Sequence, residues 1–320
     1  SYMAWGKGCQ SKFNGMWALV IWDNYEKKLW ISRDRFGVKP LYYMFDEDFL
    51  IVCSEIKSVI PILELTPNLQ EIYSYLIDGP SEAHNETIFN NVYRFPSGCS
   101  ATYSLRNISK ELVFEEYWEL GLPSKENSFS IKRLKEYMDE YLYLLRDAVK
   151  IRLYADVKVS CALSGGLDSS SITYLAYQIL KDQGKSVDAL MTVSNVYKNK
   201  DYSYCDESKF IDHMVNKLNI INYRSEPDIN ELAQKNDKGL WYYENCYEHL
   251  PFSALNTFEI CKRNNIKVNL DGQGADETLA GYPRYWKNYF ATQPIISIDY
   301  LLSLFNAPIN IKNKIKYIFR

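Results

Sequence analysis

Short apolar runs alternate with amphipathic segments through the second half of this 320-residue sequence, and few folds accommodate that alternation. Such runs are typical of strands buried in a parallel sheet, with helices as the connections between them. The alternation therefore predicts an α/β doubly wound parallel sheet, whose ligand site lies at the carboxyl ends of its strands. The predicted strands are 157–163, 189–194, 220–224 and 267–270, and the predicted helices are 170–180, 207–218 and 254–263.

The first part of the sequence has a different pattern. Residues 15–52 contain four short runs rich in aromatic and β-branched side chains, separated by turn residues such as Gly-Val-Lys-Pro. That pattern is typical of antiparallel strands joined by short turns. It predicts an α+β domain built on antiparallel strands, with further strands at 101–103 and 112–118 and helices at 54–60 and 69–77.

A segment with the composition of a loop separates the two patterns. Residues 121–130 gather Gly, Pro, Ser and Asn, which interrupt regular structure. An amphipathic helix is predicted directly afterwards, at 131–154, because its apolar residues recur at a period close to 3.6. We therefore expect a first domain at 1–120, a linker at 121–130 and a second domain at 131–320.

Composition and charge disfavour several classes of function. With 37 basic and 40 acidic residues the net charge is −3, so the charge gives no reason to expect binding to nucleic acid. The longest apolar runs, such as 16–22, fall well short of the roughly 18–20 residues of a membrane-spanning helix. Seven scattered cysteines and three histidines disfavour a disulfide framework and a zinc site, and we expect a cytoplasmic protein with mostly buried thiols.

The first glycine-rich motif directly follows the predicted strand 157–163. It reads Ser-Gly-Gly-Leu-Asp-Ser-Ser at 164–170 and leads into a helix. The glycines let the backbone approach an anion, while serine hydroxyls and the unpaired amides of a helix N-terminus donate hydrogen bonds. The motif predicts a phosphate-binding loop that lacks the lysine of the usual P-loop, with Asp168 holding Mg²⁺ against the phosphate oxygens.

A second glycine-rich motif follows the predicted strand 267–270. It reads Asp-Gly-Gln-Gly-Ala-Asp-Glu at 271–277 and carries three carboxylates, those of Asp271, Asp276 and Glu277. Taken alone, a turn of this composition is more often only a turn. Since both motifs end strands of the same predicted sheet, we expect them to face one edge of that sheet and to share a metal ion.

The two motifs carry a resemblance to a known family. SGGLDSS followed by DGQGADETLAGYPRYW resembles the synthetase domain of the glutamine-dependent asparagine synthetases, which are PP-loop ATP pyrophosphatases. Upstream, FNGMWALVIWDNYEKKLWISRDRFGVKPLYY and VYRFPSGCSATY resemble the class II glutaminase domain of that family. The resemblance implies an antiparallel α+β sandwich followed by a doubly wound α/β sheet. Both domains are expected to be incomplete, with the glutaminase cysteine before Ser1 and a lysine-bearing helical region after Arg320.

The resemblance also implies a reaction. ATP adenylates a carboxylate, expected to be aspartate, with release of pyrophosphate, and ammonia from glutamine then converts the acyl-adenylate to an amide. Mg²⁺ is expected on Asp168 and Asp276. A homodimer is expected from the family, without a nucleic-acid or membrane partner. The residues expected to bind ATP are Leu163, Ser164, Gly165, Gly166, Asp168, Ser169, Val193, Asp271 and Gly272.

Gln273 departs from the pattern of the family. Well-studied asparagine synthetases have a glutamate there, tied to the acyl-adenylate and to deprotonation of ammonia, whereas a glutamine cannot act as a base. The identity of the acceptor therefore stays open. One alternative is a related adenylating ligase or cyclase of the β-lactam synthetase or lasso-peptide cyclase type. Another is a chain that binds nucleotide without turnover.

Overall fold

The structure is a computed structural model that describes residues 1–46, 49–79, 84–106, 111–121, 130–186, 190–198, 200–228, 231–245, 252–282 and 285. The strands are β1 (Ala18–Asp23), β2 (Lys28–Arg33), β3 (Tyr42–Phe45), β4 (Leu50–Cys53), β5 (Tyr93–Arg94), β6 (Cys99–Ser104), β7 (Phe114–Glu116), β8 (Val159–Ala162), β9 (Met191–Asn195), β10 (Ile221–Ser225) and β11 (Val268–Leu270). The α-helices are α1 (Tyr2–Trp5), α2 (Leu69–Asp78), α3 (Leu134–Arg152), α4 (Leu167–Asp182), α5 (Ser208–Leu218), α6 (Leu232–Tyr243), α7 (Phe252–Arg263) and α8 (Ala275–Leu279).

The chain divides into two compact units. The first comprises Ser1–Ile131 together with Asp228–Phe252, and the second comprises Lys132–Pro227 together with Ser253–Arg320. This division differs from the expected domains in the segment that contains α6, which belongs to the first unit although its neighbours in sequence belong to the second. Glu244, directly after α6, supplies a physical reason, because its carboxylate accepts the backbone N–H groups of Ile56 and Lys57 in the first unit.

Two antiparallel sheets form the first unit. One has the strand order β1-β2-β6-β7 and the other the order β4-β3-β5. Apolar side chains from both sheets share one core, to which Ile31 and Ala101 contribute from the first sheet, and Tyr43 and Val52 from the second. This arrangement follows from the alternation of side chains along a strand, which sends every second residue toward the same face. The predicted antiparallel character of the first part of the chain is confirmed.

A parallel sheet with the strand order β10-β9-β8-β11 forms the second unit. α4 connects β8 to β9, α5 connects β9 to β10, and α7 precedes β11. Helices α3, α4 and α5 bury Val149, Ile179 and Leu218 against Cys161 of β8 and its neighbours. The apolar runs of these strands are thus explained by burial in the sheet. The predicted parallel sheet with intervening helices is confirmed.

Several predicted elements differ from the observed ones. Helix α4 begins at Leu167, three residues before the predicted start, because the end of the first glycine-rich motif forms its first turn. The helix predicted at 54–60 is a 3₁₀ turn at Ile56–Val59. The sequence pattern predicts neither α6 nor α8, since α8 begins inside the second glycine-rich motif and α6 has a mixed polar and aromatic sequence.

The cysteines of the described ranges are unpaired. Burial raises the pKa of the Cys161 thiol to about 12. Cys246 lies outside the described residues. Of the others, Cys9, Cys99, Cys161 and Cys261 are buried, Cys53 is half-buried and Cys205 is exposed. None of the helices in the described ranges has the length and apolar character of a membrane span.

Candidate functional site

The strand order places a crevice at one edge of the parallel sheet. β8 pairs with β9 on one side and with β11 on the other. The chain leaves β8 toward the half of the sheet that contains β9 and β10, whereas β11 lies on the opposite flank of β8. At such a switch in strand order, neighbouring loops diverge and leave an opening, which is where doubly wound sheets bind ligands.

The loop that follows β8 is held together by its own serines. Ser169 Oγ accepts the backbone N–H of Ser164 at 3.2 Å and lies 2.9 Å from Ser164 Oγ. Ser164 Oγ also accepts the N–H of Gly166 at 3.3 Å. Helix α4 begins directly afterwards, and no side chain caps its N-terminus. Since the first amides of a helix have no partner within the helix, this end of α4 is suited to an anion.

The loop that follows β11 turns sharply into a short helix. Asp271 Oδ1 accepts the backbone N–H of Gln273 at 2.7 Å. Gly274 has φ of 92°, a left-handed conformation that favours glycine, and it immediately precedes α8. Asp276 and Glu277 lie in the first turn of α8, where the helix dipole favours negative charge.

Gly272 is the point at which the two loops meet. A Cβ atom at this position would lie 3.0 Å from Ser169 N, 3.1 Å from Asp168 Cβ and 3.2 Å from Asp168 C. These neighbours are the backbone and the first side-chain carbon of α4, which cannot rotate away as the end of a flexible side chain can. Any larger residue here would force the second loop and the start of α4 to separate by a few tenths of an ångström.

Both loops line one cleft of about 190 Å³. The structure thus brings most of the predicted site residues together. Leu163 and Val193 are exceptions, because each is 1% exposed and packs in an apolar cluster. The cleft is lined by Ala162, Ser164, Gly166, Asp168, Ser169, Asp271, Gly272, Gln273, Gly274, Asp276, Glu277 and Tyr282.

Gly165 is absent from that lining because it faces the start of α5. Its φ is +93°, and a Cβ atom there would lie 3.1 Å from both the Glu207 carbonyl oxygen and Phe210 Cβ. Asp206, next to Glu207, accepts the backbone N–H of Tyr197 at 3.1 Å and the Ser208 hydroxyl at 2.5 Å. The hydrogen bond from Ser208 is the main cause of the lowered pKa of Asp206. Asp206 thus holds the segment before α5, and Gly165 lies against the residue that precedes this helix.

Tyr282 and Ala162 line the cleft although the sequence motifs did not single them out. The Tyr282 hydroxyl donates to Glu277 Oε1 at 3.3 Å, and the negative charge of Glu277 is the main cause of the raised pKa of Tyr282. Tyr282 belongs to the stretch DGQGADETLAGYPRYW that carries the family resemblance, and this is the signal that the sequence offers for it. Ala162 is the last residue of β8 and would be found only once the strand was known to end there.

The charge of the cleft is strongly negative. Asp168, Asp271, Asp276 and Glu277 line it, and its described lining contains no lysine, arginine or histidine. A phosphate would be repelled by these carboxylates unless a cation accompanied it. Within the described ranges, no group of three or more acidic, cysteine or histidine side chains could hold a metal ion. Two carboxylates nevertheless fit Mg²⁺, which is usually bound by one or two carboxylates together with substrate phosphates and water.

Comparison with known proteins adds family matches to this geometry. The family model described as asparagine synthase matches residues 140–316, and the model described as glutamine amidotransferase domain matches residues 1–118. The first match includes both glycine-rich loops of the cleft.

Three relatives share sequence with most of the chain. A candidate glutamine-hydrolysing asparagine synthetase 2 of Methanocaldococcus jannaschii is 31% identical over 90% of this chain and 53% of its own length. The amidase chyE of Penicillium rubens is 30% identical over 89% of this chain and 42% of its length. The glutamine-hydrolysing asparagine synthetase 3 of Bacillus subtilis is 26% identical over 88% of this chain and 46% of its length. The chain therefore spans about half the length of these curated relatives.

Proposed function

This chain belongs to the asparagine synthase family, and from that premise we propose that it is part of an ATP-dependent amidoligase. The reaction joins ammonia, released from glutamine, to a small carboxylate. In the first step the carboxylate attacks the α-phosphate of ATP, which forms an acyl-adenylate and releases pyrophosphate. In the second step ammonia attacks the acyl carbon, and AMP leaves. Aspartate is the expected carboxylate.

One observation carries this proposal: two glycine-rich loops from adjacent parallel strands meet at Gly272 and line a single cleft. One loop offers hydroxyls and the uncapped N-terminus of α4 to an anion. The other brings carboxylates that suit a divalent cation. Donors and carboxylates in the same cleft are what a nucleotide with its accompanying metal ion requires.

The residues of the cleft have separate roles in this mechanism. The hydroxyls of Ser164 and Ser169 and the first amides of α4 bind the pyrophosphate portion of ATP. Asp168 and Asp276 would hold Mg²⁺, which supplies positive charge to the phosphate oxygens when bound. The first motif has no lysine like that of the P-loop, which pairs with the β- and γ-phosphates. Departure of pyrophosphate as one unit is therefore more consistent with this loop than transfer of the γ-phosphate.

Gln273 favours a second candidate with the same adenylation step. Gln273 lines the cleft, but its side-chain amide cannot take a proton from the incoming amine. A ligase whose acceptor differs from aspartate, or whose nucleophile is not ammonia, would not need a carboxylate at this position. The candidate synthetase of Methanocaldococcus jannaschii and the amidase chyE are about equally similar to this chain. Relatives with such different names support the idea that acceptors vary within the family.

Replacement of a metal-binding carboxylate tests the adenylation step. Asp168→Asn keeps the size of the side chain and removes its negative charge, so we expect loss of Mg²⁺- and ATP-dependent pyrophosphate release with an unchanged circular dichroism spectrum. Asp139→Asn, the same change at an exposed position of α3, is the matched control. Pyrophosphate release by Asp168→Asn at the rate of the unaltered protein would contradict the assignment.

A further inference from the structure

A hydroxyl on the neighbouring strand holds the peptide that leads into the first glycine-rich loop. The last residue pair between β8 and β9 joins Ala162 to Val193. The next carbonyl along the chain, that of Leu163, accepts a hydrogen bond from the Ser194 hydroxyl at 2.6 Å. Ser194 is 2% exposed, so water has almost no access to take its place. The Ser194 side chain thus links the two strands one residue beyond their last pair, that of Ala162 and Val193.

This hydrogen bond sets the direction of the first amide of the loop. The Leu163 carbonyl and the Ser164 N–H belong to the same planar peptide unit. Ser164 N–H donates to Ser169 Oγ at 3.2 Å, which ties the loop to the first turn of α4. Rotation of the peptide would break both hydrogen bonds together. The geometry of the loop therefore depends on a residue outside both glycine-rich motifs.

Asn222, on β10, orients the Ser194 hydroxyl in turn. Its Nδ2 donates to Ser194 Oγ at 2.9 Å, so the proton of that hydroxyl is directed to the Leu163 carbonyl. Arg224 Nε, which can only donate, contacts Asn222 Oδ1 at 2.6 Å and thereby fixes which side of the amide faces Ser194. Side-chain hydrogen bonds thus run from β10 across β9 to the end of β8.

We infer that Ser194, oriented by Asn222, is a positioning residue for phosphate binding at the loop after β8. This inference rests on the proposed function of the cleft. Neither Ser194 nor Asn222 is among the residues that line the cleft. Each acts on the ligand through the peptide between Leu163 and Ser164, and neither touches the ligand itself.

Two substitutions break the chain of hydrogen bonds at different points. Ser194→Ala removes the donor to Leu163. Asn222→Asp is nearly isosteric, but a carboxylate only accepts hydrogen bonds and would draw the Ser194 proton away from Leu163. Ser160→Ala is the matched control, because Ser160 is 0% exposed in the same sheet and donates to Asn269 Oδ1 at 2.6 Å, a contact between β8 and β11 that lies before either loop begins.

The test measures affinity, kinetics and stability on the same proteins. We expect Ser194→Ala and Asn222→Asp to bind Mg²⁺–ATP about tenfold more weakly in calorimetric titration, the scale of one lost buried hydrogen bond. The KM for ATP in pyrophosphate release should rise by a similar factor, with little change in kcat. Ser160→Ala should lose a comparable amount of stability in urea and keep the affinity of the unaltered protein.

The outcomes separate this inference from the function on which it rests. If the unaltered protein binds Mg²⁺–ATP and the two variants bind it equally well, the positioning role is wrong and the proposed function stands. Equal loss of affinity in Ser160→Ala would also overturn the role, since general weakening of the sheet would then explain the effect. If the unaltered protein binds no Mg²⁺–ATP, both the proposed function and this inference fail.

Discussion

Gly272→Ala is the smallest change that pushes the two loops of the cleft apart. The added Cβ atom would lie 3.0 Å from Ser169 N and 3.2 Å from Asp168 C, both of them backbone atoms of α4. Ordinary contacts between such atoms are a few tenths of an ångström longer. Because the first turn of α4 is built into the core through the rest of the helix, the second loop has to move.

The expected size of the effect follows from that overlap. Inserting a methyl group into a well-packed position costs about 1–3 kcal/mol. If the whole of this free energy destabilises the arrangement of the two loops that binds Mg²⁺–ATP, the affinity for Mg²⁺–ATP falls about 5- to 150-fold. The lower end applies if the loop of Gly272 shifts as a unit, and the upper end applies if Asp271 and Asp276 lose their places in the cleft.

Calorimetric titration with Mg²⁺–ATP measures this loss, and urea unfolding reports whether the fold survives. Gly15→Ala is the matched control, because a Cβ atom at Gly15 has no neighbour within 4 Å and the residue lies outside the cleft. The control should bind as the unaltered protein does. Gly272→Ala with undiminished affinity would refute the argument that contact between the loops forms the binding site.

Two further predictions concern the first unit. The Glu244 carboxylate is 9% exposed and accepts two backbone N–H bonds, at 2.7 and 2.8 Å, and the Lys57 ammonium at 2.9 Å. Glu244→Ala leaves the two backbone N–H groups unpaired, whereas Lys57 keeps its ion pair with Glu55 at 3.0 Å. The substitution should therefore lower the free energy of unfolding by about 1–3 kcal/mol in urea, and a loss below about 0.5 kcal/mol would contradict the role of this contact. Burial raises the pKa of Tyr117 from 10.0 to about 12, so its neutral hydroxyl contributes stability that is present below pH 10 and lost as pH rises toward 12. Tyr117→Phe should lack that part of the alkaline loss in a thermal-unfolding series, and an unchanged pH profile would refute the assignment.

The sequence predicts that the two glycine-rich loops lie side by side, because the determinants of each loop are local. Each glycine-rich motif directly follows an apolar strand, so the period of the strand and the turn residues locate the loop without knowledge of the rest of the fold. Helix α4 begins three residues before the predicted start, because acidic and hydroxyl residues such as Asp168 and Ser169 also favour the first turn of a helix.

Long-range contacts account for what the sequence did not predict. Glu244 and Lys57 are 187 residues apart, and no local pattern indicates that α6 belongs to the first unit. The role of Ser194 cannot be predicted from the sequence for the same reason. Its contact with Leu163 follows only once β9 is known to lie beside β8. The apolar pattern predicts a buried strand over 189–194, but only the fold shows that Val193 packs against α7 instead of lining the cleft.

The phosphate products of ATP show directly whether the cleft carries out adenylation. The natural full-length protein is incubated with ATP, Mg²⁺, glutamine and candidate carboxylates, aspartate first, and the nucleotide and phosphate products are separated by chromatography. Cleavage between the α- and β-phosphates gives AMP and pyrophosphate in equal amounts, in a reaction that depends on the carboxylate, and this is the result we predict. Formation of ADP and inorganic phosphate, or bound ATP that is not cleaved with any carboxylate, would contradict an adenylating ligase.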